Sequence, residues 1–462
     1  MSEKEVFLIE DGERTALFAP YRGLIMEVSK EEKERVAAFI NQSQFSFENL
    51  TKIFPEIEGD RLLSQKAENE TTVEGEEVFS PNCAVLFTTL DCNLRCPYCY
   101  AKAGEKKVNM SQQIAKATID FIIKNVKSKG LEKCSLGFHG GGEPTWNWPI
   151  FQFALGYFQE KVRENGFVSE VSLATNGMLS KKQIDWIVQH LKTVQVSLDG
   201  MKEIQNFQRP TAKNGNSFGV VYRTIASLLA KGVKVVIHSV VTEMGIARIP
   251  EIVHFFAINF PGTTVHLEPA CQCGRGLITN QRFPSAELFV RGFIDAQKVA
   301  KPFKVELFYS GAGPRLAEIH KNFCGVSTHN FVVTPTGLVT ACNEIAEAEH
   351  PLSNYFIYGH LDHSSGNFLF DYQKIRNLKY LTAEIDPVCA ECFARFHCAG
   401  DCLAKTLNSR GEKSAPFLNP RCKINQELTR HYVFNQLFAR KEDCHECASS
   451  RNERSANQRH SA

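Results

Sequence analysis

Three closely spaced cysteines are the residues of this chain most able to do chemistry. Cys92, Cys96 and Cys99 have the spacing C-x3-C-x2-C within the segment Thr88–Tyr100. An iron-sulfur cubane is normally closed by four cysteine thiolates, so three of them leave one iron open. A zinc loop is the weaker alternative, because zinc prefers C-x2-C pairs and four protein ligands. The loop therefore predicts a cluster that something other than protein completes.

With the aromatic Tyr98 before its last cysteine, this loop resembles the signature of the radical S-adenosylmethionine (SAM) superfamily. The resemblance implies that SAM chelates the open iron of a [4Fe-4S] cluster. An electron from that cluster then cleaves SAM to a 5'-deoxyadenosyl radical, which abstracts a substrate hydrogen. It also implies a reduced flavodoxin- or ferredoxin-type electron donor. A non-catalytic iron-sulfur electron carrier stays open as an alternative, and it predicts no SAM cleavage.

The segments around the loop must position it, and residues 83–300 alternate strands and helices as a parallel α/β sheet does. Strands are predicted at 84–87, 135–138, 170–174, 194–198, 233–239 and 264–267. Six β/α units are fewer than the eight of a closed barrel, so we expect an open, partial (β/α)6 barrel. Its active site belongs at the carboxyl ends of the strands, as in complete barrels.

A glycine-rich loop follows the second predicted strand. It reads Gly-Gly-Gly-Glu-Pro over residues 140–144, where glycines allow close backbone approach and a carboxylate can accept from an ammonium group. The loop resembles the GGE motif that holds the amino group of SAM, and this implicates Gly141, Gly142 and Glu143. An ordinary loop is the alternative.

Polar residues also follow the later strands. The resemblance assigns Ser197 to the SAM ribose and leaves Asn176 and Asp199 as pocket walls, although both also stand in common turn dipeptides. Arg209 is assigned to the SAM carboxylate, which a guanidinium fork suits, with a surface arginine as the alternative. Leu267 is predicted to pack against adenine.

The residue after Leu267 is a candidate catalytic carboxylate. Glu268 either faces the substrate or pairs with Arg275. Cys271 and Cys273 follow at C-x-C spacing, which supports no closed site alone, so each is either a core thiol or a ligand to a cluster elsewhere.

A second cysteine array lies beyond residue 300, and its seven thiols are too many for one cluster. Its intervals match the seven-cysteine SPASM pattern, including C-x2-C-x5-C-x3-C. The resemblance implies two auxiliary [4Fe-4S] clusters. The distal cluster would take Cys389, Cys392, Cys398 and Cys422, and the proximal cluster would take Cys324, Cys342 and Cys402.

This assignment leaves the proximal cluster one ligand short, since residues 318–323 contain no cysteine. Either Cys273 or Cys271 reaches in, a histidine substitutes, or the iron is open to a substrate thiolate. An open iron would favour thioether formation, as in related enzymes. The alternative is a cluster that only relays an electron.

Radical SAM enzymes with SPASM domains commonly modify peptides or proteins, so we expect a maturase of a ribosomally made precursor peptide, forming a thioether by a narrow margin. Anaerobic sulfatase-maturating enzymes share both domains and use an aspartate directly after the second SPASM cysteine as a base. Here Asn343 holds that position, although Glu344 could act instead. A small-molecule radical SAM dehydrogenase is a further alternative.

Composition and domain boundaries complete the predictions. The chain has 462 residues and a formal charge of +2, which gives no electrostatic argument for a nucleic-acid partner. No apolar stretch is long enough to span a membrane, so we expect a cytoplasmic protein. Predicted domains are an N-terminal α+β module (1–80) resembling a peptide recognition element, the barrel (83–300) and the cysteine-rich domain (310–447). Residues 448–462 are predicted to be a disordered tail, and Cys444 and Cys447 have no assigned role.

Overall fold

The computed structural model describes residues 5–40, 54, 79–328, 330–380, 387–409 and 420–438. Its strands form two sheets, a small antiparallel one of three strands and a large one of eleven. The small sheet contains β1 (Phe7–Asp11), β2 (Arg14–Ala19) and β3 (Leu24–Val28). The large sheet contains β4 (Cys83–Leu86), β5 (Lys133–Phe138), β6 (Val168–Thr175), β7 (Thr193–Ser197), β8 (Lys234–Val241), β9 (Thr264–Pro269), β10 (Glu306–Phe308), β11 (Val332–Val333), β12 (Leu338–Thr340), β13 (Ile357–Asp362) and β14 (Asn367–Phe370).

Strands β4 to β9 are the six predicted strands, and they pair in parallel in chain order. The α/β fold with an open sheet is thereby confirmed, with strand ends that differ from the prediction by up to two residues. Helices on the outer face connect them: Gln112–Ser128, Trp148–Asn165, Lys181–His190, Lys202–Gln208, Phe218–Ala230, Ile249–Asn259 and Ala286–Ala300.

Two of these helices show why the sequence folds this way. The hydroxyl of Ser111 accepts a hydrogen bond from the backbone N–H of Ile114 at 3.3 Å, so Ser111 caps the first helix. In Phe218–Ala230, the apolar face formed by Val221, Ile225 and Leu228 is fully buried. Helical periodicity therefore aligns both helices over the strands.

The large sheet extends beyond the barrel on both edges, which the sequence did not predict. β10 adds in parallel to β9, and β11 adds in parallel to β4 through Val332 and Val333. β12, β13 and β14 continue from β11 as an antiparallel meander. The cysteine-rich region is thus hydrogen-bonded into the same sheet as β4, the strand that precedes the cysteine loop.

The small N-terminal sheet packs against the cysteine-rich region. The rings of Phe7 and Tyr21 contact Phe396, with centroids 5.9 Å and 4.9 Å away, and Phe18 stacks on His397. One face of the sheet thus belongs to the main core. Residues 41–53 and 55–78 lie outside the described residues, so the domain boundary near residue 80 stays a prediction.

The remaining helices are short, apart from Lys30–Ile40 after the small sheet and one over residues 421–438. They are Arg275–Ile278, Ser353–Phe356, Tyr372–Lys379, Pro387–Ala390, Arg395–Cys398 and Leu403–Ser409. In the part of the chain that the structure describes, no helix has the length and apolar character needed to cross a membrane. Cys444, Cys447 and the tail lie outside the described residues.

Candidate active site

A cavity of about 290 Å³ opens at the carboxyl ends of the barrel strands, as predicted. It has two kinds of wall. One comes from the cysteine loop, the glycine-rich loop and the strand ends, and the other comes from Glu344, Lys405 and Arg421 of the C-terminal region. The predicted site residues on its lining are Cys92, Cys96, Cys99, Gly141, Gly142, Glu143, Asn176, Ser197, Arg209, Glu268, Cys271 and Glu344.

Two arginines hold the backbone of the cysteine loop. The Arg95 guanidinium donates to the carbonyl oxygens of Cys92 (2.6 Å), Leu94 (2.7 Å) and Gly104 (3.0 Å). Arg275 donates to the carbonyl oxygens of Cys96 and Ala103. A Cβ at Gly104 would lie 2.1 Å from Arg95, so only glycine leaves room for this guanidinium. The loop is therefore rigid before any cluster binds.

The three thiols of the loop do not converge on a single-ion site. Among the described residues, no three cysteine, histidine or acidic side chains converge on one metal-ion position. A cubane does not need that convergence, because each thiolate binds a different iron. Burial raises the pKa of Cys92 to about 12 and also raises that of Cys96, so a metal must displace the protons. N–H donors face the Cys92 sulfur, from the backbone of Leu94 at 3.4 Å and from the side-chain amide of Asn176 at 3.7 Å.

Asp199 organises the wall behind the loop. Its carboxylate accepts from the Tyr98 hydroxyl, the Gln208 amide (2.8 Å), the Arg209 guanidinium (3.0 Å) and the backbone N–H of Val240 (3.0 Å). The side chain is fully buried and lies outside the cavity lining. The prediction of Asp199 as a pocket wall is therefore wrong; it positions Tyr98 and Arg209, which do line the cavity.

Arg209 fits an anionic ligand. One of its terminal nitrogens is held by Asp199, and its guanidinium lies over the Tyr98 ring, 5.4 Å from the centroid. Its Nε atom is buried and has no hydrogen-bond partner within the described part of the chain. Burial lowers the pKa of Arg209, but Asp199 more than compensates, so the group stays charged. A buried, charged donor with an unused N–H at a cavity wall suits a carboxylate.

Ser197 and the glycine-rich loop form further polar parts of the cavity wall. Alternation along β7 turns Ser197 toward the cavity, and its hydroxyl makes no hydrogen bond to the described residues. At Gly142, a Cβ would lie 2.0 Å from the carbonyl oxygen of Asp91, so this loop can approach the cysteine loop only as glycine.

Glu143 is largely occupied by the protein itself. One carboxylate oxygen accepts from the hydroxyls of Thr145 (2.6 Å) and Thr175 (2.7 Å) and from the backbone of Thr145. The other oxygen accepts from the backbone N–H of Asn176 at 2.6 Å and keeps one acceptor position. Burial raises the pKa of Glu143, and these hydrogen bonds oppose that shift.

Leu267 does not contact the cavity, and the prediction that it packs against adenine is wrong. Its side chain is fully buried in the core on the helix side of β9. Successive residues of a strand point to opposite faces, so Leu267 and its neighbour Glu268 cannot both face the cavity.

Glu268 lines the cavity, and its partner is Arg421 rather than Arg275. It also accepts from His266 at 2.7 Å and from the backbone N–H of Ser310 at 3.0 Å. Burial raises the pKa of Glu268, but Arg421 and His266 lower it further, so the net shift is well below the usual range. Glu268 is therefore a permanently ionised link between β9 and the C-terminal helix.

Glu344 reaches the cavity, while its neighbour does not. Its carboxylate accepts from Lys405 at 2.6 Å, and both side chains are about four-fifths buried. The Asn343 side-chain oxygen is buried without a hydrogen-bond partner among the described residues. The loop thus brings Glu344 to the cavity, one position after Asn343. Sequence reasoning missed the other lining groups, His139, Gln195, His238, Lys405 and Arg421, whose approach depends on tertiary packing.

Six of the seven C-terminal cysteines interact electrostatically within the two predicted sets, and the assignment of the sets to two clusters stays a prediction. Cys342 interacts electrostatically with Cys324 and Cys402, and Cys398 does so with Cys389 and Cys392. N–H donors face three of these sulfurs: the Glu344 backbone on Cys342 (3.4 Å), the Lys405 ammonium on Cys402 (3.7 Å) and the Gln426 amide on Cys392 (3.4 Å). Cys422 is the second residue of the helix over 421–438.

Comparisons with known proteins agree with this site. Residues 86–256 match the radical SAM superfamily. A cysteine-type anaerobic sulfatase-maturating enzyme of Clostridium perfringens is 22% identical over 365 residues, which are 75% of this chain and 94% of that protein. The solved structure of native anSMEcpe with bound AdoMet and Cp18Cys peptide superposes with a TM-score of 0.59 at 17% identity, over 79% of this chain and 100% of that one. Streptococcus suis SuiB bound to S-adenosylmethionine gives 0.50 at 14% identity, over 90% and 98%.

The cavity and its cysteine loop define a SAM-dependent iron-sulfur enzyme. Residues 86–256 form a radical SAM domain, and this domain implies a [4Fe-4S] cluster and SAM. It shares its fold with sulfatase-maturating and other SPASM-type structures.

Proposed function

We propose that this chain is a maturase that abstracts hydrogen from a peptide or protein substrate. The observation that carries the proposal is the two-sided cavity, where the cysteine loop and Arg209 face Glu344 and Lys405 of the C-terminal region. A substrate held there would meet the radical-generating centre on one side and a charged pair on the other. The likeness of fold to a solved structure that holds a peptide supports this class of substrate.

Within the cavity, the chain's own residues account for each polar part of SAM. When bound, SAM supplies the 5'-deoxyadenosyl radical after one-electron reduction by a flavodoxin- or ferredoxin-type donor. Arg209 would hold the SAM carboxylate, and Glu143 with the backbone at Gly141 and Gly142 would hold the amino group. Ser197 would bind the ribose. The unused donor on Arg209 and the open hydroxyl of Ser197 support these roles.

Two auxiliary [4Fe-4S] clusters would accept the electron that the reaction releases. We assign Cys389, Cys392, Cys398 and Cys422 to the distal cluster, and Cys324, Cys342 and Cys402 to the proximal one. N–H donors stabilise a thiolate over a thiol, and the contacts on Cys342, Cys392 and Cys402 are of this kind.

Among maturase reactions we favour formation of a thioether crosslink. An acceptor carbon of the peptide loses a hydrogen atom to the deoxyadenosyl radical, and a cysteine thiol of the same peptide loses a proton. The carbon-sulfur bond forms as one electron passes to an auxiliary cluster. Glu344 is the candidate base for the proton, because it is the C-terminal carboxylate that lines the cavity.

Oxidation of a cysteine in a protein substrate, as in sulfatase maturation, is the second candidate. It is favoured by the similarity to a sulfatase-maturating enzyme over 94% of that protein's length. Asn343 cannot serve as the base there, but Glu344 offers a carboxylate on the same cavity wall. The position of Glu344 therefore removes the objection that the sequence raised.

The N-terminal sheet would recognise a leader peptide. β1 and β3 are its edge strands, and an extended peptide can add to such an edge through backbone hydrogen bonds. Because Phe7 of β1 packs on Phe396, a leader bound to this sheet would be anchored close to the distal cysteines.

In the test, each of two peptides is incubated with the anaerobically reconstituted protein, SAM and dithionite, and the products are compared. One is a cysteine-containing precursor from a reading frame beside the gene, and the other is the Cp18Cys peptide. Each is made with deuterium on the cysteine β-carbon. Thioether formation predicts a precursor that loses two hydrogens and leaves deoxyadenosine unlabelled. Sulfatase-type oxidation predicts labelled deoxyadenosine and an aldehyde. Deoxyadenosine without change in either peptide would contradict the maturase proposal.

A further inference from the structure

The thiol pair on the wall between the two cysteine regions has no role in the function proposed above. Cys271 and Cys273 lie between β9 and the short helix Arg275–Ile278. Their sulfurs are 2.7 Å apart, and Cys273 is buried. The proposed proximal cluster, meanwhile, has three thiols where a [4Fe-4S] cluster is normally closed by four.

Cys271 stands at the correct side of the cavity to complete that set. It shares the cavity lining with Glu344 and Lys405. The Lys405 ammonium lies 3.7 Å from the Cys402 sulfur and interacts electrostatically with both Cys402 and Cys271. The Glu344 backbone, in turn, donates to the Cys342 sulfur at 3.4 Å. One ion pair therefore adjoins two proximal thiols and Cys271 together.

The segment that carries Cys271 is fixed in place. Its backbone is tied to β8 by the N–H of Ala270, which donates to the carbonyl oxygen of Val241 at 2.8 Å. On its other side, the N–H of Arg275 donates to the carbonyl oxygen of Cys99 at 2.9 Å. Gly274 has φ +53°, and a Cβ there would lie 2.1 Å from the carbonyl oxygen of Tyr100. A thiol on such a segment is preorganised for a ligand role.

The two thiols differ in what they face. Cys271 lines the cavity shared with Arg421 and Lys405, whereas Cys273 lines a neighbouring cavity of about 390 Å³. His350, the histidine nearest to Glu344 in that second cavity, already accepts at Nδ1 from the backbone N–H of Leu352. Cys271 thus shares a cavity with Lys405, whose ammonium contacts the Cys402 sulfur, whereas Cys273 and His350 line the cavity that lacks Lys405.

We propose that the Cys271 thiolate is the fourth protein ligand of the proximal auxiliary cluster and that the Cys273 thiol donates a hydrogen bond to it. This inference rests on the auxiliary clusters proposed above. It closes the proximal iron in the resting enzyme. A substrate thiol would then need Cys271 to give up its ligand position, and Cys271 would accept the proton that the substrate thiol releases. No electron is transferred in that step.

The experiment removes the other open iron first. In the triple variant Cys92→Ala/Cys96→Ala/Cys99→Ala the SAM cluster is absent, so the reconstituted chain should hold about eight irons in two clusters. This parent is compared with versions that also carry Cys271→Ala, Cys273→Ala or His350→Ala. Each is mildly oxidised, and the EPR signal of a three-iron cluster is measured, since an iron without a protein ligand is the one lost. Circular dichroism checks folding.

We expect little three-iron signal in the parent and in His350→Ala, and about one three-iron cluster per chain in Cys271→Ala. Cys273→Ala should give an intermediate or small signal, because it removes only the hydrogen bond. A parent that already shows the full signal, or a signal that depends on Cys273 or His350 alone, overturns the assignment to Cys271. A parent with about four irons overturns the proximal cluster itself, which is a failure of the proposed function.

A second measurement covers the case in which Cys271→Ala does not fold. Excess 2-mercaptoethanol is added to the reduced parent, and the EPR spectrum is recorded before and after. A closed cluster should keep its spectrum, whereas an open iron should bind the thiolate and change it. A changed spectrum in the parent contradicts the proposal.

Discussion

The two cysteine regions of this molecule are built on opposite plans. Cys92, Cys96 and Cys99 lie within one short loop, and backbone carbonyl oxygens bonded to Arg95 and Arg275 hold that loop. The C-terminal thiols come from segments spread over residues 324–422, and side-chain ion pairs join those segments. The first site is therefore encoded locally, while the second exists only when distant parts of the chain have packed.

This difference predicts different consequences for losing one thiol. Cys96→Ala should reduce SAM cleavage to background, because no cluster can form at the loop. Cys392→Ala should keep slow, uncoupled cleavage but abolish product formation, because the electron has no auxiliary acceptor. Deoxyadenosine and modified peptide are quantified together by mass spectrometry.

Cys134→Ala is the matched control, since this thiol is fully buried in the core away from both regions. It should retain both cleavage and product formation. Product formation at the wild-type level in Cys96→Ala would contradict the loop's role, and loss of all SAM cleavage in Cys392→Ala would show that the two regions are not separable.

Replacing each of the two buried arginines that line the cavity should likewise give two different effects. Arg209→Gln should weaken SAM binding about 10- to 100-fold, as expected for one hydrogen bond from a charged group. Arg421→Gln should leave SAM affinity unchanged but destabilise the protein, because Glu268 and Asp401 lose a shared partner. Equilibrium dialysis with SAM and urea unfolding measure the two effects. Equal loss of SAM affinity in both variants would contradict the proposed carboxylate site.

Features that depend on residues close together in the sequence are the ones that could be predicted from it. Strands β4 to β9 and the motifs at their ends follow from hydrophobic periodicity and short spacing, and the loop thiols follow from three cysteines in eight positions. Leu267 was assigned wrongly because a one-residue shift in a strand reverses the face of a side chain. The sequence could not show that Arg421 meets Glu268, since 153 residues separate them and only packing of the C-terminal helix brings them together.

The stability that the buried C-terminal ion pairs contribute should also depend on pH. Glu268→Gln should cost about 2–3 kcal/mol at pH 7, because a buried arginine loses one carboxylate partner and keeps the other. The pKa of Glu268 is lowered in the folded state, so its contribution is fully present above the unfolded pKa of about 4.3 and declines below it. The stability difference between wild type and variant should therefore shrink as the pH falls from 5 toward 3.

Urea unfolding of the metal-free protein at several pH values measures this difference. Glu349→Gln is the control, because Glu349 is 78% exposed and its contact with Lys106 is long at 3.8 Å. It should change stability little at any pH. A Glu268→Gln deficit that stays constant down to pH 3 would contradict the ionised state of Glu268.

The smallest expected effect concerns the turn that connects the two proposed auxiliary clusters. Cys398 and Cys402 belong to different sets, and the three residues between them all have positive φ: +46° at Ala399, +79° at Gly400 and +59° at Asp401. The left-handed conformation costs a residue with a Cβ roughly 1–2 kcal/mol, and glycine avoids that cost.

Ala399→Gly should therefore stabilise the protein by about 1 kcal/mol, after the greater flexibility of glycine in the unfolded chain is subtracted. Ala404→Gly, in the helix Leu403–Ser409, should instead destabilise by about 1 kcal/mol or more, because it loses helix propensity and a buried methyl group. Urea unfolding of the metal-free variants gives both values. If Ala399→Gly is as destabilising as Ala404→Gly, the positive φ at Ala399 carries no conformational strain. If the two changes in the free energy of unfolding have opposite signs, the turn between Cys398 and Cys402 is strained. The surrounding packing then holds residues 399–401 in a backbone conformation that they do not favour on their own.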